Sequence, residues 1–288
     1  MCSRRFGFLL LGICLVLLAC AGEPPTPTAD RYFADVKNNL SSMDYSSALK
    51  NLDRLIKTAG DQPLGRQGTV LRAVLLTAMA EGSKQMAEAY AIGVKQPAAQ
   101  ARPAAFSKMR SSYYGMSRVW LMQSMEAAMA QRGSMPEQPQ PLDVAFPQFK
   151  GSEHPAIARI QEGREVPDTD RYRAELESVQ NALAHRLAAL TGAGGDVNKA
   201  QAQFAKGGMQ IESRLYLIEM SDAFLRLSEI FGPRALDDVR YRRTSLEVVR
   251  DNLDIALKLL AAKPDKDLEN RVKKMKADCE KQLKTLAT

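Results

Sequence analysis

Few residues in this chain carry a spacing that does covalent chemistry. There are two histidines and four cysteines. His154 and His185 share no HExxH or CxxC-type spacing with a Cys, Asp or Glu, which a metal site would need. His154 precedes Pro155 at a predicted helix start, and His185 lies inside a helix between Ala184 and Arg186; both are expected in solvated or capping roles. A catalytic triad would need one of them plus a nucleophile on a sharp turn, and no GxSxG occurs. Gly65-Arg66-Gln67-Gly68-Thr69 looks loosely like a phosphate loop but lacks the Lys and the preceding strand. Carboxylate neighbours such as Glu175/Glu177 and Asp237/Asp238 point apart on a helix. Glu81, Glu88, Glu126, Glu212 and Glu219 sit in more apolar helices. A buried one would be a candidate acid or ligand group, because a buried charge needs a partner; Arg214 and Arg226 are available as such partners. The expectation is no enzyme, no cofactor and no metal. A hydrolase with two acids converging on one water is the enzymatic rival.

Cys20 is the exception, by position rather than by partners. Arg4 and Arg5 precede an apolar run, Phe6 to Leu18, which fits a secretory h-region and is short for a span of a ~30 Å hydrocarbon core. The run ends in Leu17-Leu18-Ala19-Cys20, which resembles the lipobox of bacterial lipoproteins. That resemblance implies cleavage before Cys20 and diacylglycerol on its thiol through a thioether, so residues 1–19 are the expected signal peptide. Residues 20–30, with AGEPPTPTAD after the Cys, form the expected tether, small and Pro-rich. Ala21 rather than Asp follows the Cys, so by resemblance to diderm lipoproteins the outer membrane, facing the periplasm, is expected over the inner. Cys2 and Cys14 leave with the signal. Cys279 is then the one remaining thiol and is expected buried on a helix seam with Val272 and Met275.

The formal charge of +7 falls by two with Arg4 and Arg5. The densest basic spots, 240–243 (RYRR) and 273–276 (KKMK), have acids nearby and read as solvated faces, so nucleic acid is not an expected partner. The body, dominated by helix formers and without alternating strand patterns, is predicted all-α. Residues 31–132 carry short predicted helices, with one expected break at Gly82-Ser83. A long helix after Pro103 presents Met109, Tyr113, Met116 and Trp120. Residues 133–167 open with a Pro-rich loop holding four prolines before Gly151, and Phe146 and Phe149 stand out in it. Residues 168–288 read as longer helices packed on the first region. Their middle helix, expected over Met209 to Phe231, is apolar on two faces and carries Arg214 and Glu219.

Met43-Asp44-Tyr45-Ser46-Ser47-Ala48-Leu49 with Leu52 and Leu55 resembles the second-helix core of a tetratricopeptide repeat (TPR); Val36 stands where that family has a small glycine, and no 34-residue period recurs. The expected architecture is TPR-like antiparallel helix pairs continuing into a bundle of longer helices. A lipobox joined to such helices is similar in plan to the accessory lipoproteins of some TRAP transporters. The resemblances imply a lipid-anchored module that binds or scaffolds another envelope protein, or one that holds a small ligand between helices beside a transporter. The expected partner or ligand surface comprises Met109, Tyr113, Met116, Trp120, Phe146, Phe149, Arg214 and Glu219.

Overall fold

The computed structural model describes residues 28–132, 139–144, 146–193, 195–206 and 209–286. The expected signal peptide, the lipidation site Cys20 and most of the tether lie outside these residues.

The described residues fold as an all-α protein. Helix α1 (Ala29–Ser41) and helix α2 (Tyr45–Ala59) are an adjacent pair. The Asp44 carboxylate starts α2 by accepting from the Ser47 amide at 3.0 Å. Gly60, at φ +51°, closes α2 in a conformation that an L side chain resists. Pro63 then opens α3 (Pro63–Gly93), and a short 3-10 turn (Pro97–Ala101) leads to α4 (Pro103–Gln131). Proline occupies the first turn of each, where no backbone donor is needed. Further along come strand β1 (Gln140–Leu142), α5 (Pro155–Gln161), α6 (Asp168–Leu190), α7 (Val197–Phe204), strand β2 (Met209–Ile211), α8 (Ser213–Leu227), a second 3-10 turn (Ser228–Phe231), α9 (Val239–Ala262) and α10 (Lys266–Thr285).

Helices α3 and α4 run antiparallel at close range. Ser117 Oγ donates to the Ala80 carbonyl at 2.8 Å, and one stretch along the pair Thr77 Oγ1 and Ser124 Oγ lie 2.7 Å apart. Small hydroxyl side chains let the backbones approach while satisfying one another. One apolar core runs through both halves of the chain, from Phe33 on α1 through Leu75, Leu121 and Phe224 to Cys279 on α10. The thiol of Cys279 is fully buried and donates to the Leu246 carbonyl at 3.0 Å; burial pushes its pKa up to about 11. Among the described residues no helix is long and apolar enough to cross a membrane.

Two features depart from the sequence reading. The expected break at Gly82-Ser83 is absent, and α3 is continuous. Gly82 serves a different need: a Cβ there would stand 2.8 Å from the Val179 amide nitrogen, so the missing side chain is what lets α6 cross α3. The helix expected over Met209 to Phe231 begins only at Ser213, because residues 209–211 pair as a strand with β1, Leu142 opposite Met209 and Gln140 opposite Ile211. The pair is antiparallel and ties the Pro-rich stretch to the second half of the chain.

Candidate functional site

The close crossing of α3 and α6 at Gly82 brings Glu81 and Arg186 face to face. Arg186 Nε lies 3.1 Å from Glu81 Oε2. Helix α8 adds Glu219, Asp222 and Arg226, three and four residues apart and so along one face. Helix α10 contributes Arg271, and residues 149–153 form the rim. Together these side chains line a cleft of ≈ 710 Å³, a size that suits a small-molecule ligand.

The charges in the cleft alternate. Arg226 reaches Asp222 at 2.9 Å and Glu81 at 3.9 Å. Arg271 grips both oxygens of Glu219, and Arg186 Nη1 donates to the Glu219 carbonyl at 3.5 Å. Burial raises the Glu81 carboxyl above the usual range, although Arg186 and Arg226 pull it down. Partial burial, helped by Arg186, lowers the pKa of His185. Asn181 also lines the cleft. Its Oδ1 is buried without a hydrogen-bond partner among the described residues, a condition that costs about 1–3 kcal/mol unless something donates to it. The arrangement can accept from a ligand's hydroxyl or ammonium through Asn181 and the carboxylates, and donate to a ligand oxygen from the guanidinium edges that the acids leave uncovered. Among the described residues no three His, Cys, Asp or Glu side chains gather to hold a metal ion.

The residues expected to form the binding surface are dispersed. Glu219 and Phe149 line the cleft. Phe149 sits edge-on to His185 at 5.0 Å, and Phe146 tilts against Phe204 at 5.1 Å, so both fold back on the chain's own helices, against a small apolar cluster of Ala184, Ala188 and Val197. Tyr113 is buried; its ring stacks on Tyr90 at 5.9 Å and its hydroxyl donates to Glu175 at 3.2 Å. Met109, Met116 and Trp120 are half-buried and packed on the core. Arg214 lies elsewhere, with Glu212 at 2.6 Å and the Lys263 carbonyl at 2.8 Å. Arg214 and Arg226 do stand against acids of the expected set, Glu212 and Glu81, but Glu219 is reached by Arg271, so Arg214 and Glu219 do not share one site. Sequence reasoning missed Asn181, Arg186 and Arg271. Arg186 and Arg271 left a signal, since each sits at helical spacing from seam residues, Leu183 and Leu190 for the one and Leu268 and Met275 for the other; Asn181 left none.

Comparison with protein-family models, curated proteins and solved structures returns no match.

Proposed function

We propose that the chain is a bacterial envelope lipoprotein, acylated on Cys20 and held by that lipid on the outer membrane facing the periplasm. In this reading its helical body is a binding module that holds a small polar solute in the cleft between α3, α6, α8 and α10, as an accessory to envelope transport. The lipid anchor rests on the Leu17-Leu18-Ala19-Cys20 motif. The solute reading rests on one observation, the unpartnered buried Asn181 Oδ1 in a cleft where three arginines and their acids converge. The fitting ligand class is a small molecule carrying both donors and acceptors, a zwitterion or a polyol.

An envelope protein scaffolded by this chain is the second reading. Large apolar side chains stand exposed at Tyr172 (62%) and Val239 (50%), and interfaces bury such groups as anchors. They lie on different helices, α6 and α9, and so offer separate anchor points rather than a patch.

The lipidated protein, purified from its own membranes after mild crosslinking and read by mass spectrometry, separates the two. A polar small molecule released on denaturation, in stoichiometric amount and depleted in Asn181→Leu, is the expected result. A stoichiometric envelope protein with no released molecule would replace the solute reading by the scaffold.

A further inference from the structure

A second cavity lies one turn of α8 away from the cleft. Its walls are α2, α3, α4, the β1–β2 pair and the start of α8, and its volume is ≈ 280 Å³. Ile56, Val70, Leu142 and Ile211 give it an apolar lining. The strand wall is tied down from outside: Asp143, next after β1, bridges to Lys37 on α1 at 3.0 Å, and its amide donates to Gln67 Oε1 at 3.5 Å.

Two donors in this wall lack acceptors. Tyr216 is 1% exposed, and its hydroxyl is enclosed without a hydrogen-bond partner among the described residues. Arg66 spends Nη1 on the Asp61 carbonyl at 2.7 Å, while its Nε is buried without a partner. Asp61 also lines the cavity, yet among the described residues no carboxylate stands within ion-pair distance of Arg66. Arg186 differs in having a carboxylate at ion-pair distance, Glu81 at 3.1 Å, although its Nε, like that of Arg242, also lacks a hydrogen-bond partner among the described residues. Two unmet donors in a wall that also carries Asp61, Gln67, Thr69, Gln131 and Ser213 among its apolar residues make a poor core and a selective pocket. A buried polar group without a partner destabilises the fold, whereas a ligand lacking the complementary group is rejected for the same reason.

We infer that this cavity is a separate binding site for a small, mainly apolar molecule ending in an acceptor oxygen, a carboxylate or a carbonyl, which takes hydrogen bonds from Tyr216 and Arg66. The volume sets the size. It lies between the roughly 150 Å³ that accepts benzene and the roughly 300 Å³ at which drug-sized pockets begin, so the ligand has on the order of ten heavy atoms. The chemistry differs from that of the cleft: there, charges of both signs face a polar solute; here, two donors face one acceptor at the end of an apolar body. The two sites share α8, which carries Tyr216 in one wall and Glu219 in the other.

The test is calorimetric titration of 4-phenylbutanoate, and of its neutral amide, into the full lipidated chain in phospholipid nanodiscs, against nanodiscs without protein. Saturable binding is expected. It should weaken at least tenfold in Tyr216→Phe and in Arg66→Met, vanish in Val70→Phe, which fills the cavity, and persist in Asn181→Leu. Much tighter binding of the carboxylate than of the amide by the parent would identify a carboxylate ligand; comparable binding of the two, a carbonyl. Tyr216→Phe removes one oxygen and should be no less stable than the parent, so weaker binding by it reports the hydroxyl rather than the fold. No saturable binding at millimolar probe, or binding that survives both Tyr216→Phe and Arg66→Met, overturns the inference. Because Asn181→Leu acts only on the cleft, failure here and failure of the solute reading are separately visible.

Discussion

At the residue scale, two buried groups make opposite contributions to stability and to binding. The Tyr216 hydroxyl is enclosed without a partner, so Tyr216→Phe should raise stability by about 1 kcal/mol, the desolvation penalty of an unmet hydroxyl. Chemical denaturation measures this; a variant less stable than the parent would mean that the hydroxyl is bonded in solution. Glu81 gives a pH-dependent signature. Its pKa is raised by burial from an ordinary 4.5, so the folded state holds this proton more tightly than the unfolded chain does. Its contribution is complete below the unfolded value and is lost as pH rises through the folded one. Glu81→Gln stays neutral throughout. The variant's stability relative to the parent should therefore improve as pH rises from about 4. Denaturant midpoints across that range test the sign, and a difference flat in pH would contradict it.

At the element scale the decisive feature is the crossing of α3 and α6. Alanine in place of glycine favours an isolated helix by about 1 kcal/mol. At Gly82 the added Cβ would meet the Val179 backbone at 2.8 Å, and overpacking of this kind costs about 1–3 kcal/mol. Gly82→Ala should thus destabilise by up to about 2 kcal/mol net and widen the cleft by displacing Glu81 from Arg186. A thermal melt that rises instead would show that the crossing is loose. The same glycine marks where the sequence was readable and where it was not. Apolar spacing at Leu183, Leu187 and Leu190, or at Leu246, Leu253 and Leu260, announces helices directly, because each residue is placed by its own helix's period. Gly82 reads as a breaker because its real role depends on Val179, about a hundred residues away. The β1–β2 pair leaves no trace either, since three residues show no alternation to distinguish from a helix end. The cleft is legible only in part. An acid in an apolar helix signals that Glu81 and Glu219 need partners, but nothing local says that Arg186 and Arg271 supply them.

At the scale of the whole molecule, one continuous core holds ten α-helices among the described residues, with the polar cleft and the apolar cavity on successive turns of α8. The proposed tether to a membrane through Cys20 sets where such a body would work. Cys20→Ala should leave an unprocessed precursor lacking lipid, read by mass and by incorporation of labelled palmitate; normal acylation of that variant would remove the anchor from the account. The central claim, a polar solute held in the cleft, is tested most directly by native mass spectrometry of the full chain, gently released from the membranes of its own host. A bound small molecule is expected on the parent and on Tyr216→Phe, and none on Asn181→Leu. A parent with no adduct, or an adduct carried equally by Asn181→Leu, would contradict it.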